Sequence, residues 1–140
     1  MIWRLVVKVR VTLVETSDWI DYFRGVESKE TDLLDELLEI DRLVIGDLIL
    51  AELKQGCQSE KELKIINEVV GLLDYRDLVG RRIADKAAEN YQFLRQKGVT
   101  VRKTIDVIIG TFCIEHDLFL LHSDRDFDPM ENYLELKVRR

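Results

Sequence analysis

Carboxylates dominate the residues of this chain that could do chemistry. Glu15 follows directly on a short apolar run, Val11, Leu13 and Val14, and precedes Thr16, Ser17 and an amphipathic turn with Trp19, Ile20 and Phe23. That pattern predicts a buried strand ending in an acid, then a cap and a helix. A carboxylate at the end of a buried strand is costly without a partner or a task. Glu52 lies four residues after Leu48 and three after Ile49, on an apolar helical stripe. Asp106 is followed at three and seven residues by Ile109 and Cys113, again an apolar face. Asp124 follows the run LFLL within the acidic turn SDRDFD, which also holds Asp126. Inward-facing acids need compensation, and too few inward-facing basic residues are present to pair them all. Hard divalent cations with oxygen ligands, Mg²⁺ or Mn²⁺, answer that need. Such ions activate water and stabilise the leaving oxygen of a phosphodiester, the chemistry of metal-dependent nucleases.

Other chemical groups offer less. His116 and His122 lack metal-ligand partner spacing and read as core or surface residues. Cys57 and Cys113 read as structural thiols. No glycine-rich phosphate loop, nucleophile elbow or His-Glu-x-x-His motif occurs. Arg81 and Arg82 fit a solvated surface. Arg102 and Lys103 stand just before Asp106, where they could meet a phosphate backbone entering the site.

The elements that must position these acids alternate. A helix is expected over 31–40, a strand over 42–46, and a helix over 48–55, capped by Asp47 and ended by Gly56. Further helices are expected over 60–73, over 78–97 before Gly98, and over 105–116, capped by Thr104. Short strands are expected around Tyr75, over 118–121, and at an edge over 134–138. Apolar strands alternating with helices predict an α/β domain, with a mostly parallel central sheet and helices on both faces. Ligands in such sheets bind beyond the carboxyl ends of the strands. Chain direction alone therefore brings Glu15, Glu52, Asp106 and Asp124 toward one rim.

Composition bounds the reading. The 140 residues suit a single domain over 1–140, with residues 1–10 as a lead-in to the first strand. One proline and no repeat or low-complexity stretch leave no linker in view. The two separated cysteines suit a reducing cytoplasm. The start, MIWRLVVKVR, is broken by Arg4, Lys8 and Arg10, so neither a signal peptide nor a membrane span is expected. The formal net charge of −6 disfavours binding to phosphates, unless cations neutralise the clustered acids locally.

Taken in order, LVETSDWIDYFRG, LILAELKQG, TIDVIIGTFC and LFLLHSDRDF resemble the PIN-domain ribonucleases, specifically the VapC-type toxins of toxin–antitoxin pairs. The resemblance runs from Val11 to about Pro129 and matches the family's four acids to Glu15, Glu52, Asp106 and Asp124, with Asp126 as a helper. It implies a single PIN-like nuclease domain and a Mg²⁺-dependent endoribonuclease. It also implies RNA as substrate, a cognate VapB-type antitoxin and a homodimer. One departure stands out: the family's first acid is normally Asp, and here it is Glu15. A catalytically weak or inactive PIN-fold binding module is therefore a second reading. A receiver-type signalling domain is a third, but it would need a Lys after LFLL, where His122 stands.

Overall fold

The computed structural model describes residues 10–40 and 42–140. Except for Arg10, the lead-in expected over residues 1–10 falls outside them. The elements run β1 (Val11–Val14), α1 (Thr16–Phe23), α2 (Lys29–Ile40), β2 (Arg42–Gly46), α3 (Asp47–Gln55), α4 (Glu60–Val70), β3 (Asp74–Arg76), α5 (Arg81–Gln96), α6 (Thr104–Glu115), β4 (Phe119–Leu121), a 3-10 turn (Arg125–Phe127), α7 (Asp128–Leu134) and β5 (Lys137–Val138). The sheet order is β3-β2-β1-β4-β5, and every neighbouring pair is parallel. β1 is central, with Leu13 in register with Val44 on one side and Leu120 on the other. The central strands β1, β2 and β4 are mostly apolar and buried at consecutive positions rather than alternating ones. Leu13, Val14, Val44, Ile45, Leu120 and Leu121 are fully buried, and Trp19, Phe127 and Met130 pack into the same core. Among the described residues no helix is long and apolar enough to cross a membrane.

Several element boundaries differ from those expected, each for a local reason. α5 begins at Arg81 rather than at residue 78, because Gly80 sits at φ 130°, outside helical space. Leu78 instead drops into the core, and its backbone N–H donates to Asp47 Oδ1 at 3.0 Å. Asp47 is therefore not the cap of α3. Gly46 holds that position, and the Asp47 carboxylate ties the Leu48 and Leu78 amides together. Lys103, in extended backbone, holds the cap position expected for Thr104, which is the first residue of α6. α4 stops at Val70, where the Gly71 amide turns back onto Asn67. The strand expected over 134–138 shrinks to β5, because α7 occupies 128–134. Pro129 lies in the first turn of α7, where its missing N–H is no loss, and Glu135 closes the helix at φ 62°.

Candidate active site

The rim at the carboxyl ends of the strands is assembled from chain direction. β1 delivers Glu15 and β4 delivers Ser123 and Asp124 to it. α3 leaves β2 there, and α6 runs back along the sheet into β4, so Asp106 lies at a rim-facing helix end, while Glu52, in the second turn of α3, is drawn to the rim by its bond to Thr16.

Glu15 caps α1. Its Oε2 accepts from the Ser17 amide at 3.0 Å and from the Ser17 hydroxyl, and its own amide donates to Leu121 O at 3.0 Å. The strand end is thus fixed to β4 by backbone and to α1 by side chain. Burial raises the Glu15 pKa most; the Ser17 bonds oppose the rise, and Glu52 and Asp124 add to it. Glu52 is held differently: the Thr16 hydroxyl donates to its Oε1 at 2.8 Å.

Asp106, in the first turn of α6, is only 5% exposed, and its buried Oδ2 has no hydrogen-bond partner. Burial, then the charges of Asp124 and Glu15, push its pKa up to about 6 against the pull of Lys103. Asp124 caps the 3-10 turn by accepting from the Asp126 amide at 2.9 Å. One carboxylate oxygen from each of Asp106, Asp124 and Asp126 falls within 4.8 Å of the others. Asp126 therefore stands inside the cluster. Glu15 stands beside it, its charge felt at Asp106, and Glu52 reaches the rim through Glu15, whose carboxylate feels its charge. Arg102 approaches both Asp126 oxygens at 3.4 Å from a largely exposed position.

The donor set suits a hard divalent cation: all carboxylate oxygen, with one buried oxygen lacking any donor. Neither histidine joins the cluster. His116 stacks on Phe112 at 4.2 Å, and His122 lies against Phe127 at 4.9 Å. Cys57 and Cys113 are free thiols, and full burial raises the Cys113 pKa.

One further buried acid, Asp18, stands at the rim. It is 1% exposed, accepts from the Ser123 hydroxyl at 2.7 Å, and has its pKa pushed up to about 6 by burial above all. Its spacing was the available signal, since a residue three positions after Glu15 shares that acid's side of the helix.

Comparison with known proteins agrees with this architecture. The family model described as PIN domain matches residues 12–132. Ribonuclease VapC11 of Mycobacterium tuberculosis (strain ATCC 25618 / H37Rv) is 30% identical over 131 residues, spanning 90% of this chain and 96% of that protein. Among solved structures, VapBC2 from Rickettsia felis, bound to a DNA fragment from its promoter, superposes with a TM-score of 0.73 at 15% identity. It covers 92% of this chain and 97% of its own. FitAcB from Neisseria gonorrhoeae gives 0.71 at 18% identity, covering 92% and 96%. These matches overturn the receiver-type reading, in keeping with the absence of a Lys just after β4.

Proposed function

This chain belongs to the PIN domain family, among its VapC members, and from that premise we propose that it is a divalent-metal-dependent endoribonuclease, the toxin of a toxin–antitoxin pair. Its substrate is RNA and its metal is Mg²⁺ or Mn²⁺. Its partners are a cognate VapB-type antitoxin and a second copy of the chain, in the cytoplasm. The observation that carries the reading is the buried Asp106 Oδ2, left without a donor inside a cluster of three carboxylates. An unpaired buried oxygen of this kind costs free energy that a bound cation returns.

Asp106, Asp124 and Asp126 would hold the cation, with Glu15 and Glu52 completing the acidic rim. Bound there, a divalent cation supplies a lowered pKa for water and charge stabilisation at a phosphodiester. Thr16 keeps the Glu52 carboxylate turned toward α1. Ser17 holds one oxygen of Glu15 and leaves the other for the site. Arg102 and Lys103, at the entrance to α6, contact the phosphate backbone and fix its path across the acids.

The test is cleavage of single-stranded RNA by the purified chain with Mg²⁺, with Mn²⁺, and in excess EDTA. Cleavage is expected only with metal, and Asp106→Asn is expected to remove most of it. Cleavage that persists in EDTA contradicts the reading. Glu15 favours the second reading, a binding module with weak or no catalysis, because its extra methylene moves the carboxylate from where the family's Asp would hold it. RNA binding without cleavage under any of these conditions supports that alternative.

A further inference from the structure

The Asp18–Ser123 hydrogen bond joins parts of the chain 105 residues apart. It does so where the two rim segments separate. The Glu15 amide bonds Leu121 O where β1 and β4 end. Beyond that bond one segment turns into α1 and the other into the 3-10 turn. The Asp18–Ser123 bond is their next tie, three residues past Glu15 and one before Asp124.

An acid in a helix's first turn ordinarily serves the positive end of that helix. An exposed acid does so without a burial cost. Asp18 is almost wholly buried, and its Oδ2 has no hydrogen-bond partner. Placing a carboxylate there costs more than the helix end returns. The Ser123 bond is what this arrangement secures.

We propose that Asp18 is a positioning residue for the acidic rim, which through Ser123 sets where the Asp124 carboxylate stands relative to Glu15. The proposal rests on the metal reading above. Asp124 in turn holds the Asp126 amide, so a shift at Ser123 passes to two of the three clustered acids. Partners that orient ligand side chains matter nearly as much as the ligands themselves.

Mn²⁺ titration of the whole chain by calorimetry tests this, with melting curves taken without metal. Ser123→Ala and Asp18→Ala are expected to weaken Mn²⁺ binding about tenfold or more, the usual loss when an outer partner of a ligand is removed. Asp18→Asn keeps an oxygen acceptor for Ser123, so it is expected to restore most of the affinity. A role in folding alone would lower the melting temperature and leave the Mn²⁺ affinity of the folded fraction unchanged. Should Asp18→Ala fail to fold, Ser123→Ala, at an exposed position, carries the test. Alanine variants that bind Mn²⁺ like the starting protein overturn the proposal. So does an Asn variant as weak as Ala, since the charge and not the hydrogen bond would then matter. If the unaltered chain binds no Mn²⁺, the metal reading itself falls and takes this one with it.

Discussion

The Thr16 hydroxyl donates a 2.8 Å hydrogen bond to Glu52 Oε1, locking an acid of α3 onto the first turn of α1. A hydrogen bond to a charged group contributes about 1.5–3 kcal/mol. If part of that keeps Glu52 in its working orientation, Thr16→Val lowers RNA cleavage roughly tenfold, a loss of about 1.4 kcal/mol in the transition state. Thr16→Ser retains the donor and most of the rate. Cleavage rates of the two variants at one Mg²⁺ concentration check this, and equal rates would contradict it.

Asp106 gives a pH dependence. Its pKa rises from 3.8 to about 6 in the folded chain. This opposes folding at neutral pH. The sign follows from the raised value: below the unfolded pKa both states are protonated and the penalty vanishes. The penalty grows as pH rises and is complete above the folded pKa. Asp18, also raised to about 6, acts in the same direction. Metal-free protein is therefore expected to gain stability as pH falls from about 7 toward 4, and Asp106→Asn to raise its melting temperature at pH 7. Melting curves across that range, with and without Mg²⁺, test both. A metal-free chain that loses stability steadily over the interval contradicts the account.

Glu15 offers a substitution that should improve the protein. Asp is a preferred helix cap, and its shorter side chain reaches the Ser17 amide without folding back. Bending Glu into that role costs on the order of 0.5–1.5 kcal/mol if its rotamer is strained. Glu15→Asp is expected to raise the cleavage rate or the Mg²⁺ affinity between about twofold and tenfold. Glu15→Ala is expected to lower both. The check is rate against Mg²⁺ concentration for the three proteins, and an alanine variant equal to the starting chain would remove Glu15 from the site.

Arg102 lies 3.4 Å from both Asp126 oxygens, yet remains mostly exposed. As a phosphate contact it should act on binding. Arg102→Gln is expected to raise KM for RNA, leave kcat nearly unchanged, and reduce the salt dependence of binding by about one ion. A fall in kcat with KM unchanged would place Arg102 in the chemistry instead.

Apolar runs and helix direction are what assign acids to a rim in the sequence. Val11, Leu13 and Val14 mark a central strand, and Glu15 must then emerge at its carboxyl end. Asp106 is assigned to the rim in the same way, from Ile109 and Cys113 behind it. Asp18 is not, because nothing local shows that Ser123, far along the chain, stands opposite it. α5 starts later than its sequence suggests because Leu78 reads as helical in isolation, while its amide is claimed by Asp47 across the fold. The stretch that forms α7, acidic and with a proline, reads as a loop. It becomes a helix where Met130 docks against Gly110, whose missing side chain leaves the space.

Acids from separate parts of the chain would converge on one divalent cation. Crystals soaked in Mn²⁺ and measured for anomalous scattering test it most directly. A peak is expected within direct coordination distance of carboxylate oxygens of Asp106 and Asp124, with Asp126, Glu15 or Glu52 around it. A Mn²⁺ peak elsewhere, or a bare rim in crystals of protein that still cleaves RNA, would contradict it.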